Sequence, residues 1–389
     1  MNAVLNIYFV YLILNLILFL TFVACGCSIK NKKDYFYYTF LPIIVYTFVL
    51  GSRYMRGNDY NHYVDVYKYG FNDNHDTPFF TFLNELLSGL GVNAYEAFYF
   101  YSAIFIICSF LYLRRYYKYS KYIIPSFLIA MLIFNEYQIR QSLGFSFVFL
   151  FLYYMFDIRF KSIKKSINLH NFLDLSLCLL LILIISGIHK ANLIIVVIFV
   201  LFYIFIRRPF PLFISIPLLI FAAYVLPNVF DFSILNPVLV TVAGDDEIML
   251  SYVYNSDRWF SAKGFDEYYT RNPIVQIVEI LGHASLFYYG KKAIGLCRHR
   301  QEALTLYNIY VFGTLFMITF RKLELMNRIG GNFEHFWFFP ISLVLFYNNQ
   351  IIKTRLQLLF SFFLIFFVYD YVKYLFFPDI SKMLFLWCR

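Results

Sequence analysis

The chain has 389 residues, of which 61% are hydrophobic and only 14% are charged, and its formal net charge is +10. Soluble globular domains carry about a quarter charged residues and lack repeated apolar runs long enough to cross ~30 Å of hydrocarbon, so the composition excludes an ordinary soluble protein. Many lysines and arginines stand in short loops, where anionic headgroups attract them, and the positive charge therefore requires no nucleic-acid partner.

Twelve apolar runs follow one another along the chain, and they predict an all-α polytopic membrane protein with about twelve transmembrane helices. No internal repeat or separate soluble domain is visible, so residues 1–389 are predicted to form a single integral-membrane domain. The runs lie at 4–25, 37–52, 96–113, 122–137, 143–157, 172–188, 191–206, 211–227, 273–290, 304–320, 333–348 and 356–377.

The loops between these runs alternate in charge. Loops rich in lysine and arginine, such as KNKKDY (31–36), RRYYKYSK (114–121) and RFKSIKKS (159–166), are predicted to face the cytoplasm, which places both chain ends outside. The other set faces outward and includes a first loop at 53–95 and a long loop at 228–272. Because the chemically unusual polar clusters fall in the outward set, we expect the functional loops on that side.

The first outward loop begins with GSRYMRGNDYNHY (51–63), directly after an apolar run. Arg53 and Arg56 are three residues apart, as are Asp59 and His62, so each pair shares a face if the segment is helical. Outward arginines run against the positive-inside bias. This favours a binding role over the alternative, an ordinary solvated loop that caps a helix.

The second cluster lies in FNEYQIRQSLGFSF (134–147), where Arg140 and Gln141 separate two apolar runs. Arg140 is a candidate catalytic residue and Gln141 a candidate substrate ligand. Two alternatives stay open. Arg140 can extend to the lipid headgroups, or it can pair locally with Glu136, four residues before it, if the turn is helical.

A third cluster is IISGIHKANLII (184–195), in which His189 stands in a very short turn between two apolar runs. A polar turn is the simple explanation, but an imidazole there is also a candidate proton acceptor. Further outward residues are predicted to bind phosphate or sugar, because guanidinium forks match phosphate oxygens and aromatic faces suit sugar rings. These further candidates are Arg258, Trp259, Arg271, Arg321 and Arg328.

Together these clusters describe a positively charged region that opens outward, and its natural ligand is a phosphate-rich headgroup on a lipid. The acidic stretch GDDE (244–247) is consistent with a divalent cation site or with a solvated turn. No pair of cysteines has metal-site or redox spacing, so no metal and no cofactor is expected.

Four stretches in a fixed order resemble the EpsG-like family of bacterial Wzy-type polysaccharide polymerases. They are R-x-x-R-G-N-D-Y-x-x-Y-x-x-x-Y (53–67), P-F-F-T-F-L-N (78–84), I-R-Q-S-L (139–143) and S-G-I-H-K-A-N-L-I (186–194). The resemblance implies a multi-pass glycosyltransferase of the bacterial plasma membrane with a GT-C-like architecture. It also implies an active site that faces the periplasm or exterior.

The reaction implied is the joining of undecaprenyl-pyrophosphate-linked oligosaccharide repeat units into O-antigen, capsule or exopolysaccharide. Arginines would stabilise the leaving pyrophosphate, and His189 or Asp59 would accept the proton of the sugar hydroxyl. The expected partners are the lipid-linked donor and acceptor, membrane lipid, a chain-length regulator and a flippase. An O-antigen-type ligase, a lipid-linked glycan flippase or exporter, and a membrane O-acyltransferase are the alternatives.

Overall fold

The computed structural model describes residues 2–57, 59–70, 77–158, 169–226, 272–297, 299–321, 324–378 and 383–388. Over these ranges the chain is predominantly helical and contains no β-strand, only an isolated antiparallel bridge between Arg53 and Phe385. Helices satisfy backbone N–H and C=O groups within one segment, as hydrocarbon requires. The prediction of an all-α protein is confirmed for the described residues, and the apolar helices are compatible with a membrane protein.

Most helices coincide with the apolar runs, and amphipathic helices are added between the runs: α3 and α4 in the first loop, and α13 after the run at 304–320. In chain order they are α1 Asn2–Ser28, α2 Asp34–Gly51, α3 Tyr60–Tyr69, α4 Pro78–Gly89, α5 Ala97–Leu113, α6 Ser120–Tyr137, α7 Ile139–Met155, α8 Leu169–Ile188, α9 Ala191–Phe205, α10 Leu212–Tyr224, α11 Pro273–Leu296, α12 Arg300–Thr319, α13 Glu324–Glu334, α14 Phe338–Phe346, α15 Asn348–Ile351, α16 Arg355–Ser361 and α17 Phe366–Phe376. Short 3₁₀ turns join several of them, among them Arg114–Tyr119 between α5 and α6.

Four helical stretches in the described part are long and apolar enough to cross a membrane: Asn6–Ser28, Ala97–Tyr137, Arg300–Thr319 and Arg355–Phe376. The 41-residue stretch is two helices, because the backbone leaves helical angles at Tyr116, where α5 turns into α6. The remaining apolar helices are shorter. The total of twelve spans and the GT-C-like architecture stay predictions.

The chain divides into two compact units. Unit 1 contains Met1–Ile204 and Val368–Arg389, and unit 2 contains Phe205–Phe367. Unit 1 therefore holds both ends of the chain, with the whole of unit 2 inserted between them in sequence. That the two act as a single polymerase domain stays a prediction.

One end of unit 1 brings together α2, α5 and α6. Arg53, just after α2, contacts both Phe98 at the start of α5 and Asn135 at the end of α6, so α5 and α6 are antiparallel. The first loop packs over the same end. A buried cluster there joins Tyr60 of α3, Phe80 of α4, Ile139 of α7 and Ile188 of α8. We call this the arginine end.

The opposite end of unit 1 carries the loops that the sequence predicts to be cytoplasmic, and we call it the lysine-rich end. Here Lys30, Lys32, Lys33, Lys118 and Lys121 are all exposed. The arginines of this end, Arg114 and Arg115, are only partly exposed. Arg115 pairs with Asp157 at 2.8 Å, and the Arg114 guanidinium carbon lies 4.1 Å from the centre of the Phe36 ring.

Unit 2 is built around α11, which packs against α12 and α14. Two polar contacts lie on one face of α11, four residues apart. Glu279 accepts a hydrogen bond from Arg321, and one turn later His283 Nδ1 lies 2.8 Å from the hydroxyl of Tyr310. Both Glu279 and His283 are buried, so each depends on the protein for a partner.

Candidate functional site

Arg56 is fully buried at the arginine end and is held by a carboxylate of its own chain. Its Nε and Nη2 donate to the two carboxylate oxygens of Glu136 at 3.2 and 2.9 Å. The hydroxyl of Tyr374, on α17, accepts from Arg56 Nη2 at 2.7 Å and donates to Glu136. The two parallel hydrogen bonds add a fixed geometry to the attraction between the charges, and both side chains are fully buried.

Aromatic rings close the Arg56 site on both sides. The guanidinium carbon lies 5.3 Å from the centre of the Tyr11 ring and 5.0 Å from that of Phe385. Burial is the largest influence and acts to lower the pKa of Arg56, but the carboxylate of Glu136 together with Tyr374 and Tyr11 outweighs it, so the pKa ends above its ordinary value. Arg56 is therefore charged at every physiological pH, as its paired carboxylate requires.

Arg53 lies beside this pair and is equally buried. Its Nη1 donates to the backbone carbonyl of Asn135 at 3.3 Å, and its guanidinium carbon lies 5.3 Å from the centre of the Phe98 ring. Burial lowers the pKa of Arg53, and the carboxylate of Glu136 offsets only part of this effect. Arginine stays protonated in proteins because its ordinary pKa lies far above neutral, so Arg53 carries a charge.

These contacts change the interpretation of the first polar cluster. The sequence predicts Arg53 and Arg56 as substrate ligands because an outward arginine needs a partner. The chain itself supplies the partner of Arg56, namely Glu136. The alternative of a local Glu136–Arg140 pair is wrong, because Arg56 and Tyr374 engage the Glu136 carboxylate and Gln138 interrupts the helix between α6 and α7.

Arg140 lies in the first turn of α7 and is only half-buried, in contrast to Arg53 and Arg56. Its guanidinium carbon lies 5.9 Å from the centre of the Tyr63 ring of α3. Ile139, the preceding residue, is buried in the same cluster as Tyr63. The backbone at Arg140 is thus fixed by packing, while its side chain still reaches the surface.

His189 lies next to this part of α7. A Cβ atom built on Gly144, one turn after Arg140, would lie 3.5 Å from the Cβ of His189. Asn192, at the start of α9, is fully buried, and its Nδ2 donates to the backbone carbonyl of Gln141 at 3.0 Å. Since that Nδ2 would lie 2.4 Å from the same added Cβ, only glycine at position 144 permits the approach.

The aspartate and the histidine that the sequence singles out in the first loop lie at the same end of unit 1. Asp59 directly precedes α3 and is half-buried, and His62 is exposed on α3 with its ring against Tyr63. Tyr60, next to Asp59, is buried with Ile188, next to His189. The structure therefore gathers Asp59, Arg140 and His189 at the arginine end of unit 1. Their catalytic roles stay predictions.

The other predicted ligands lie elsewhere. Arg321 belongs to unit 2, where its Nη2 donates to the buried Glu279 at 2.5 Å, and Arg328 is exposed on α13 of the same unit. Arg258, Trp259 and Arg271 lie outside the described residues, as does the GDDE stretch.

Sequence reasoning missed three residues that shape the arginine end: Asn135, Asn192 and Tyr374. The two asparagines stand directly within the polar stretches that the sequence singles out, and a buried amide needs hydrogen bonds, so their position offered a signal. Tyr374 is one of many tyrosines in an apolar run. Its partner Arg56 is 318 positions away, and no local pattern joins the two.

Comparison with known proteins identifies a family. The model of the EpsG family matches residues 36–388, which is nearly the whole chain. That range contains Arg53, Arg140 and His189 and extends through both units. Neither the curated proteins nor the solved structures gave a match.

Proposed function

We propose that this chain, which belongs to the EpsG family, polymerises undecaprenyl-pyrophosphate-linked oligosaccharide repeat units on the outer face of the bacterial plasma membrane. Membership of the family and the apolar helices support a polysaccharide-polymerase type of membrane protein. The lipid carrier, the leaving group and the side of the membrane are our proposal. It is supported by the residues that the arginine end of unit 1 brings together.

The reaction needs two groups. A sugar hydroxyl of the acceptor attacks the anomeric carbon of the donor glycan, and the bond from that carbon to the pyrophosphate oxygen breaks. His189 accepts the hydroxyl proton, and the pyrophosphate leaves with the bonding electrons. Arg140 stabilises the negative charge that develops on the leaving group, which is electrostatic catalysis. Asp59 is the alternative proton acceptor.

The observation that carries this proposal is the difference between Arg140 and its buried neighbours. Arg53 and Arg56 are fully enclosed, and the guanidinium of Arg56 already binds a carboxylate. Arg140 keeps exposed surface beside Tyr63 and lies one turn from the point where His189 packs. Neighbouring helices hold a cation and a base at the end of an apolar bundle. This arrangement can bind a charged headgroup while the lipid chain of the same molecule remains in the membrane.

The test is reconstitution of the purified protein with a lipid-linked repeat unit isolated from cells that lack the chain. We expect a ladder of glycans that grows by whole repeats, together with release of one undecaprenyl pyrophosphate for each new bond. His189→Ala should lower the rate by about 10²-fold or more, since this is the usual contribution of a general base. Lys190→Ala, at the exposed adjacent position, is the matched control and should stay near the wild-type rate.

The same assay separates the alternatives. A ligase would release the lipid pyrophosphate only when a different acceptor is added, and it would form no ladder from the donor alone. A flippase would move the labelled lipid across a liposome without forming a bond. If His189→Ala retains activity within about threefold, a barrier difference under ~1 kcal/mol, Asp59 becomes the base to test.

A further inference from the structure

We propose that the end of α6 forms a rigid anchor that positions Arg140, with Glu136, Asn135 and Tyr374 as positioning residues. The inference rests on the proposed function, because it explains how the cation at the leaving group is held in place. None of these residues needs to touch the substrate. Arg56 then belongs to the anchor too, as the partner of Glu136.

The first half of the anchor is Asn135, whose side chain and backbone are all engaged. Its Nδ2 donates to the hydroxyl of Tyr46 at 2.7 Å, and its Oδ1 accepts from Ser142 Oγ at 2.7 Å. Arg53 donates to its backbone carbonyl. These contacts come from α2, from the residues after α2, and from α7. Asn135 therefore joins α6 to both neighbouring helices.

The second half is Glu136, which is held from three directions. Arg56 binds both carboxylate oxygens, and Tyr374 donates to the carboxylate from α17. The backbone of Gly57 closes on the carbonyl of Glu136, since a Cβ on Gly57 would lie 2.4 Å from that oxygen. Gly57 has a φ of 99°, a backbone conformation that residues other than glycine seldom adopt.

The anchor reaches Arg140 through a very short connection. α6 ends at Tyr137, Gln138 has non-helical angles of −119° and 65°, and α7 begins at Ile139. Ser142, which donates to Asn135, lies on the first turn of α7 beyond Arg140. The backbone of Arg140 is thus fixed on both sides, from Glu136 before it and from Ser142 after it.

The chemistry explains why such rigidity is useful. An arginine that stabilises a leaving group acts only if its donors already point to where the charge develops. A displacement of about 1 Å from the reacting geometry can cost ~10²-fold in rate. A half-exposed arginine on a loose turn would sample many positions, whereas one on the anchor samples few.

The principal variant is chosen so that folding is preserved. Tyr374→Phe removes one hydroxyl from the anchor and keeps the ring. The matched control is Tyr371→Phe, one turn earlier on α17, because the Tyr371 hydroxyl is buried and has no hydrogen-bond partner among the described residues. Glu136→Gln is the stronger variant. It keeps the size of the side chain but leaves the buried charge of Arg56 without its partner, so its rate is measured per folded molecule.

Two measurements test the proposal. Hydrogen exchange of the backbone amides at 138–143 should be faster in Tyr374→Phe than in the wild type and in Tyr371→Phe. In the polymerisation assay, Tyr374→Phe should lower kcat about fivefold and Glu136→Gln by tenfold or more, with KM for the lipid-linked repeat within about threefold of the wild type.

Unchanged exchange at 138–143 in Tyr374→Phe would overturn the proposal whatever the protein catalyses. A raised KM with an unchanged kcat would also overturn it, because it would make these residues substrate ligands. If the wild-type protein forms no polymer in any assay, the proposed function fails, and faster exchange in Tyr374→Phe alone then supports the anchor as a structural device.

Discussion

The two ends of unit 1 both carry several basic residues, but they satisfy them in opposite ways. At the lysine-rich end the lysines are exposed, and Arg114 and Arg115 pack against aromatic rings while keeping some exposed surface. Water and lipid headgroups can solvate such groups at little cost. At the arginine end Arg53 and Arg56 have no exposed surface, and the fold must supply every partner.

The difference shows that the chain buries charged groups at the arginine end, at a desolvation cost that membrane topology alone does not explain. Taking an ion pair out of water costs several kcal/mol for each ion, and the pair returns this only with well-formed hydrogen bonds. If the lysine-rich end faces the cytoplasm, as the sequence predicts, positive-inside bias accounts for it. It gives no reason for a buried arginine pair at the other end, whereas a rigid support for Arg140 does.

The largest expected effect concerns which end faces outward. In a background of Cys27→Ser and Cys388→Ser, Asn61→Cys at the arginine end and Lys118→Cys at the lysine-rich end are both at exposed positions. A thiol reagent that cannot cross the membrane, added to intact cells, should label Asn61→Cys fully and Lys118→Cys only after lysis. Labelling of Lys118→Cys in intact cells would invert the comparison and remove the proposed active site from the outer face.

The second prediction compares the cost of breaking an ion pair at each end. Arg56→Leu leaves the Glu136 carboxylate buried without its partner, and we expect a loss of about 3–5 kcal/mol in the free energy of unfolding. Arg115→Leu removes a pair in which Arg115 is 11% exposed and Asp157 is 45% exposed, and because water still reaches the carboxylate we expect a smaller loss of about 1 kcal/mol. Denaturation of the purified variants in one detergent measures both. Equal losses would mean that burial does not distinguish the ends.

Much of this comparison could be predicted from the sequence. The apolar runs are long enough to identify the helices, and the polar stretches between them are local, so Arg53, Arg140 and His189 could be singled out. The positive-inside bias also indicated that an outward arginine needs a partner. That rule leaves open whether the partner is a ligand or the chain itself.

The contacts that decide whether an arginine binds a ligand or the chain itself are long-range. Arg56 and Glu136 are 80 positions apart, and Arg56 and Tyr374 are 318 apart, so neither pairing leaves a local pattern. The division into two units is equally invisible, because unit 1 is assembled from both ends of the chain. Gly144 has the small size that close packing requires, yet its neighbours His189 and Asn192 follow from tertiary structure alone.

The third prediction uses the same substitution at both ends. In Gly26→Ala, at the lysine-rich end, the added Cβ would lie 2.6 Å from the Ser120 carbonyl oxygen, so we expect a loss of about 1–3 kcal/mol in stability. The activity of the folded fraction should remain. Gly144→Ala should cost about the same stability but also displace Asn192 and His189, and activity per folded molecule should fall about tenfold. If Gly26→Ala lowers that activity equally, strain spreads through unit 1 and the arginine end is not special.

The smallest expected effect separates two arginines in similar surroundings. Arg140 and Arg114 are both half-buried, and each guanidinium lies over an aromatic ring, at 5.9 Å for Tyr63 and 4.1 Å for Phe36. Replacement by lysine keeps the charge but removes the planar fork that binds two phosphate oxygens. Arg140→Lys should therefore lower polymerisation about tenfold, which corresponds to ~1.4 kcal/mol in the barrier.

Arg114→Lys weakens the contact of the guanidinium with the Phe36 ring, and such a contact contributes about 0.5–1 kcal/mol. The substitution should therefore change stability slightly and leave the rate per folded molecule unchanged. Polymer ladders from cells with matched membrane levels of the two variants give the comparison directly. A normal ladder from Arg140→Lys would show that its charge alone is sufficient and that no bidentate contact to pyrophosphate is made there. A shortened ladder from Arg114→Lys would show that the ring contacts, rather than a ligand at the arginine end, control the rate.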